Sequence, residues 1–250
     1  MIGIIGYGFV GKTIGEVAQG ANEEIYIVDP LYTENTIDDL IAVDPAFIFV
    51  CLPTNSPEDM SYLQETVRHL HENASGITVI KSTILPKYLK EFENHRLMVY
   101  NPEFLSRSTR ISDFMNPPVQ ILGTECFDAT TRLIRLYNAW GVANTNVQRV
   151  SMTEASLIKY AHNTFMAMKV TFMNHLYDIA GQEGADYKNL VDAMKSFSWM
   201  GSHHFQVPGP DGSRGFGGPC LPKDTRAWVD EYNSDLLQKV LDKNEIYRKQ

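Results

Sequence analysis

The chain has 250 residues, of which 44% are apolar and 21% charged, and a formal net charge of −8. That length and balance suit one large domain or two small ones around a buried core, and exclude a wholly disordered chain, a collagen and a coiled-coil rod. The acidic balance and the lack of a basic block argue against nucleic-acid and anionic-membrane partners, while leaving room for a locally basic pocket that takes a phosphorylated ligand.

Three cysteines, Cys51, Cys126 and Cys220, lack zinc-site spacing and are too few for a disulfide framework. A reducing cytoplasm is the expected setting. The N-terminus has no basic segment, and the apolar run Met1–Ile5 is too short for a signal peptide. No run of about 18 apolar residues occurs, so no membrane span is expected.

The first half alternates strand-like and helical patterns. Met1–Ile5, Glu24–Val28, Ala46–Leu52, Ile77–Ile80, Leu97–Tyr100 and Val119–Leu122 are rich in β-branched and aromatic residues and bounded by turn formers. Helical patterns lie between several of them, as at Lys12–Gln19 and Met60–Glu72. Buried strands alternating with helices predict an α/β fold, with a Rossmann-type parallel sheet over residues 1–150.

From about Ser151 the strand signal stops. Ser151-Met-Thr-Glu154 is a capping box, and a helix is predicted from it to about Gly181, roughly 45 Å long. A helix over Tyr187–Ser196, a Gly/Pro-rich loop over Val207–Asp224 and a last helix over Asp235–Arg248 complete an all-helical second domain, residues 151–250.

Gly6-Tyr-Gly8-Phe9-Val10-Gly11 follows the first strand directly and opens a helix, the context a dinucleotide fingerprint requires. Gly6 allows the tight turn, Gly8 lets the backbone approach a pyrophosphate, and Gly11 lets helix and sheet pack closely. The helix N-terminus supplies N–H groups for the phosphates. Asp29, 18 residues past Gly11, ends the second strand and is placed to accept from a ribose diol. Its charge would repel a 2′-phosphate, so the expected cofactor is NAD.

In Gly215-Phe-Gly217-Gly218-Pro-Cys220-Leu-Pro-Lys223-Asp224, glycines and prolines fix a loop around one thiol, beside a lysine. A reactive thiol and a structural cysteine in a tight turn are both open on spacing alone.

With the fingerprint, four further blocks stand in order: Lys81-Ser-Thr83, Asn101-Pro-Glu103-Phe104-Leu105, Glu154…Lys159…Asn163…Lys169, and the loop GFGGPCLPKD. Together they resemble the nucleotide-sugar dehydrogenases of the UDP-glucose and GDP-mannose type. That resemblance implies a four-electron oxidation of a sugar primary alcohol to a carboxylate, with two NAD⁺ reduced and polysaccharide precursors as products. It makes Cys220 the nucleophile that carries a thiohemiacetal and then a thioester. It makes Lys159 a stabiliser of oxyanion character or a proton-transfer group. Asn163 then holds a water or oxyanion, and Asp224 partners that lysine and water. Glu103 serves thioester hydrolysis, and Thr83 lies by the cofactor and the water network. Phe9, Val10 and Thr54 join Gly6, Gly8, Gly11, Asp29 and Thr83 at the cofactor. Phe104, Leu105, Gly217 and Gly218 join Lys159 and Asn163 at the substrate. UDP-glucose is the first choice of sugar.

Lys159 and Asn163 are four apart, which sets them on one helix face. Read singly, Lys159 and Asn163 also suit a solvated helix face, Glu103 and Asp224 suit turns, and Thr83 suits a strand end. His203 and His204 point in different directions and lack a third ligand, so no metal is assigned. Arg107 stands where many relatives carry an acidic residue, and Trp199-Met-Gly201 replaces an arginine-containing segment. Such relatives usually continue into a second Rossmann-like domain, and this sequence stops at Gln250, which suits either a fragment or a naturally short form. Two other readings remain open. One is a two-electron hydroxyacid dehydrogenase, which needs no thiol. The other is a non-catalytic NAD-binding or assembly module. Phe165, Met168, Phe172, Met173 and Leu176 give the long helix more apolar surface than a small domain covers, which predicts a homodimer packed through Ser151–Gly181.

Overall fold

Short runs of β-branched and aromatic residues build one sheet in the first part of the chain. The computed structural model describes residues 1–93, 95–143 and 146–250. Two compact units emerge, Met1–Lys159 and Tyr160–Gln250. In the first, strands β1 (Ile2–Ile5), β2 (Ile25–Val28), β3 (Phe47–Val50), β4 (Ile77–Ile80), β5 (Met98–Tyr100), β6 (Gln120–Gly123) and β7 (Val147–Val150) stand in the order β2-β1-β3-β4-β5-β6-β7.

Alternate side chains of these strands feed two separate cores. Ile2, Ile4, Phe47, Phe49 and Val79 pack on one face, with Ile14 and Val17 of α1 (Phe9–Gly20) and Leu133 and Tyr137 of α6 (Phe127–Ala139). Ile5, Ile48, Val50 and Ile80 pack on the other, with Leu40 of α2 (Ile37–Ala42) and Leu63, Val67 and Leu70 of α3 (Pro57–Asn73). Full burial of each such side chain contributes about 1.5–3 kcal/mol, so a charge at Ile48 or Val79 would break the sheet from within. Local signals start the helices. Thr36 and Asp39 form a reciprocal capping box at α2. Ser56 accepts the Asp59 N–H at 3.1 Å at the start of α3, with Pro57 in the first turn.

The sheet is not wholly parallel. β1 to β5 run parallel, β6 and β7 run parallel to each other, and β5 pairs with β6 antiparallel at Tyr100 and Gly123. β7 was not expected from the sequence: Val147-Gln-Arg-Val150 is partly exposed and lacks a continuous apolar run. The short helices α2, α4 (Pro86–Leu89) and α5 (Arg110–Met115), together with α6, likewise add to the sequence reading.

Helix α7 runs Met152–Gln182 and begins at the expected box: Ser151 Oγ accepts the Glu154 N–H at 3.1 Å, and Glu154 Oε2 accepts the Ser151 N–H at 2.8 Å. The second unit packs the later part of α7 with α8 (Tyr187–Lys195), α9 (Leu221–Tyr232) and α10 (Asp235–Arg248). Ala167, Phe216, Val229, Leu237, Val240 and Leu241 form one core, and Met173, Val191 and Phe205 a smaller one. Helix α9 corrects the expected loop, which ends at Cys220 instead of Asp224. Pro222 lies in the first helical turn, where its missing N–H costs nothing, so it starts the helix rather than interrupting it. Of the apolar residues on α7, Met173 is buried and Met168 and Leu176 pack against the cores, whereas Phe165 and Phe172 are 60% and 55% exposed. No helix among the described residues is long and apolar enough to cross a membrane.

Candidate functional site

The glycine fingerprint sits in the first unit at the end of β1. Gly6 has φ +85, and a Cβ there would lie 2.6 Å from Cys51 O. A Cβ on Gly11 would lie 2.1 Å from Gly6 O, so only glycine lets α1 approach the turn this closely. Gly8, the N-cap of α1, differs: a Cβ there would meet nothing within 4 Å. The backbone at Gly8 is therefore open to solvent at a helix N-terminus, where N–H groups are left without helical partners. Phe9 is exposed and Val10 half-buried in that first turn.

Asp29, just past β2, turns its carboxylate toward the fingerprint. Its Oδ2 accepts the Tyr7 N–H at 2.6 Å and its Oδ1 the Leu31 N–H at 2.9 Å. Next to it opens a cavity of about 640 Å³ lined by Val28, Pro30, Thr33, Glu34, Tyr62 and His69 among others. Thr54 and Thr83, both half-buried, follow β3 and β4. The sequence reading missed a polar-aromatic group here: Lys12 Nζ lies 4.6 Å from the Tyr32 ring, and Tyr7 meets that ring edge-on at 5.5 Å. Gly6, Asp29, Thr54 and Thr83 each follow a strand, but nothing in the sequence spacing joins Lys12 to Tyr32.

A second group in the same unit gathers Glu103 and Lys159. Lys159 is only 4% exposed, which excludes the solvated-lysine alternative. Its ammonium donates to Glu103 O at 2.5 Å, lies 3.7 Å from Glu103 Oε1 and sits 5.1 Å from the Phe104 ring. Glu103 Oε2 accepts the Leu105 N–H at 2.6 Å. Asn101, Pro102, Glu103, Phe104 and Leu105 thus form one turn closed by a carboxylate and tied to α7 by a buried ammonium.

Behind that turn lies a buried polar network. Asn101 Oδ1 accepts from Lys81 Nζ at 2.9 Å and from the Tyr137 hydroxyl at 2.7 Å, while Asn101 Nδ2 donates to Ile121 O at 2.8 Å. Burial lowers the Lys81 pKa to about 8, with the nearby Glu103 opposing the shift. Burial pushes the Cys51 thiol up to about 12, against the pull of Lys81, and also raises the Tyr137 hydroxyl.

The second unit holds Cys220, Asn163 and Asp224. Asp224 is 1% exposed in the first turn of α9. Its carboxylate accepts from Asn163 Nδ2 at 2.5 Å and pairs with Lys223 Nζ at 2.6 Å. Asn163, itself buried, also meets His162 Nδ1 at 2.9 Å through its amide oxygen. Cys220 is exposed at the N-cap of α9, which excludes the buried structural cysteine, and its carbonyl accepts the Asp224 N–H at 2.9 Å.

The glycine loop before Cys220 is pinned by side chains. Asn244 of α10 accepts the Phe216 N–H at 2.6 Å and donates to Phe216 O at 2.9 Å. Asn174 of α7 accepts the Gly215 N–H at 3.1 Å. A Cβ on Gly217 would lie 3.0 Å from the Arg248 guanidinium, which itself pairs with Asp211 at 2.6 Å. Gly218 is exposed, with φ +76. Neither asparagine was singled out in the sequence, because each lies tens of residues from the loop it holds. Among the described residues no group of three or more His, Cys, Asp or Glu could hold a metal ion.

A mainly parallel sheet with a glycine turn, an acid just past the second strand and an open helix N-terminus define a dinucleotide-binding protein of the Rossmann class. Residues 30–141 match the NAD binding domain of the UDP-glucose/GDP-mannose dehydrogenase family, and residues 153–245 match that family's central domain. The chain belongs to this family, and the cofactor of its first unit is NAD. It is 28% identical over 253 residues to UDP-glucose 6-dehydrogenase AglM of Haloferax volcanii, covering 89% of this chain and 57% of that one. The chain spans about half the length of the curated relatives it matches. A UDP-glucose dehydrogenase from Pyrobaculum islandicum shares the fold, with a TM-score of 0.81 at 23% identity over 98% of this chain and 68% of that one. The 3-hydroxyisobutyrate dehydrogenase of Mycobacterium tuberculosis also shares it, with a TM-score of 0.74 at 16% identity over 99% and 92% of the two chains.

Proposed function

We propose that the protein oxidises the primary alcohol of a nucleotide sugar, with UDP-glucose the first choice, to the carboxylate. The observation that carries this reading is the exposed Cys220 at the N-terminus of α9, one turn before the buried Asp224 that bonds Asn163. A helix N-terminus favours a sulfur anion, the form that attacks carbonyl carbon. Residues 1–150 bind NAD, and residues 151–250 carry the thiol and the dimer surface.

Gly6, Gly8, Phe9, Val10 and Gly11 would hold the pyrophosphate, Asp29 the ribose diol, and Thr54 and Thr83 the remainder of the cofactor. When bound, NAD supplies the electron acceptor, one molecule for each two-electron oxidation. As the alcohol becomes an aldehyde, its hydroxyl proton passes to a water held by Asn163 and Asp224, its hydride would go to the bound NAD⁺, and Lys159 stabilises the negative charge on the sugar oxygen. The Cys220 thiolate adds to the aldehyde carbon, forming a C–S bond and an oxyanion that Lys159 and Asn163 stabilise. Second oxidation of this adduct gives a thioester. Glu103 takes a proton from water as it attacks the thioester carbon, the C–S bond breaks, and the thiolate and a carboxylate are released. Asp224 orients Asn163 throughout. Phe104, Leu105, Gly217 and Gly218 contact the sugar nucleotide.

The same reading includes a homodimer through α7, supported by the exposure of Phe165 and Phe172. It includes a reducing cytoplasm, the setting expected for three cysteines without disulfide-framework spacing.

The test counts NADH formed from limiting UDP-glucose, GDP-mannose or a UDP-N-acetylhexosamine with excess NAD⁺. Two NADH per sugar, arrested in Cys220→Ser, is the expected result. One NADH per substrate that survives Cys220→Ser would replace the proposal with a two-electron dehydrogenase. NAD binding without NADH would leave a binding module.

A further inference from the structure

Lys81 is a buried charge that the chemistry above does not use. It follows β4 directly, with 4% of its surface exposed. An ammonium is costly to bury, so its place invites a reason. Its ammonium donates to the Asn101 carboxamide at 2.9 Å, on the oxygen that also takes the Tyr137 hydroxyl. With Asn101 Nδ2 on Ile121 O, both ends of the amide are committed and the side chain has a single orientation. Pro102 follows, with φ fixed by its ring. Glu103 comes next, its carboxylate on the Leu105 N–H and its carbonyl on Lys159. Whatever fixes Asn101 therefore fixes the turn that presents Glu103.

We propose that Lys81 is a positioning residue: with Tyr137 it clamps Asn101, and through that turn it places the Glu103 carboxylate and the carbonyl that holds Lys159. The consequence for turnover rests on the reading of Glu103 and Lys159 given above. The charged and titratable groups that face Lys81 are Cys51 after β3, Glu103 after β5, Tyr137 of α6 through the shared oxygen, and Lys159 of α7. A charge-assisted bond is about twice as strong as a neutral one. The clamp loosens as Lys81 loses its proton, and burial brings that loss down to about pH 8.

The experiment follows the Leu105 amide resonance of the full, ligand-free, ¹⁵N-labelled chain between pH 6.5 and 9.5. In the wild type this resonance moves with a midpoint near pH 8, while Ile4 in β1 stays still. Lys81→Met abolishes the titration and displaces the resonance at every pH. Lys81→Arg keeps the low-pH position throughout, because a guanidinium stays charged. Tyr137→Phe, a one-atom change, displaces the resonance in the same direction and covers the case in which Lys81→Met does not fold. A Leu105 resonance unmoved in both Lys81→Met and Tyr137→Phe overturns the proposal. With nucleotide sugar and NAD⁺, Lys81→Met lowers kcat about ten- to a hundredfold at unchanged KM and accumulates the covalent Cys220 adduct, while Lys81→Arg rescues it and removes the alkaline limb. Equal losses with an unchanged pH profile overturn it. A wild type that makes no NADH overturns the nucleotide-sugar reading, and the Leu105 titration still decides the clamp.

Discussion

Replacing Lys81 by methionine keeps most of the side-chain volume and removes the buried charge, so the pH dependence of stability isolates what that charge costs. The ordinary lysine value is 10.5 and the folded value is lowered to about 8 by burial. Between those two pH values the unfolded chain holds more protons than the folded one, so stability rises with pH. The penalty is fully present below about pH 8 and is gone above about pH 10.5. At 1.36 kcal/mol per pH unit, the gap corresponds to ~3 kcal/mol. Other groups titrate in both proteins, so the quantity to follow is the wild-type stability minus that of Lys81→Met. Urea denaturation followed by circular dichroism, at intervals from pH 7 to 10.5, should show this difference rising by ~3 kcal/mol. A flat difference, or one that falls with pH, would refute the claim that Lys81 is a desolvated ammonium.

Four further outcomes follow from the geometry. Gly8→Ala should change stability by no more than about 1 kcal/mol, yet weaken NAD binding at least about tenfold in calorimetry, because the space over Gly8 is the part a pyrophosphate would fill. Gly11→Ala should instead lower the melting temperature sharply, since its Cβ would meet the Gly6 carbonyl; equal effects of the two would contradict the packing described. Asp224→Ala strands the Asn163 amide in a buried site and should cost about 1–3 kcal/mol in denaturant melts, whereas a cost near zero would mean that water replaces the carboxylate. Asn244→Ala removes both bonds to Phe216, and amide exchange at Phe216 should quicken by about tenfold or more while that of β4 holds.

The strands were legible where both faces are buried. The core of Ala46–Leu52 is uninterrupted apolar, and Ile77–Ile80 is β-branched throughout with Thr78 its one polar residue; the structure places β3 and β4 there. β7 escaped because Gln148 and Arg149 interrupt its apolar ends. The reversal between β5 and β6 was hidden for a related reason: a strand buried on both faces shows no alternation that records its direction. Pro222 was read as loop because proline breaks helices from within, but here it begins one. In the site, Gly6, Gly11 and Asp29 were readable because their chemistry depends on local spacing. The union of Lys81, Asn101 and Tyr137 was not. It joins β4, the end of β5 and α6, and no periodicity in a linear sequence records a contact across three elements.

A β-ladder is indifferent to sequence, because backbone N–H and C=O groups make it whatever the side chains are. The join between β5 and β6 is different in kind. The pairing there is brief, at Tyr100 and Gly123, and next to it the Asn101 side chain takes over by bonding the Ile121 carbonyl. A rung made by a side chain is written in the codon for that residue. Apolar exchanges at most strand positions leave the ladder's bonds intact, but at residue 101 an exchange removes a rung between β5 and β6, whose Ile121 and Leu122 remain packed in the two cores. The sheet's tolerance to mutation is therefore uneven along its width, and one sensitive position coincides with the start of the turn that bears Glu103.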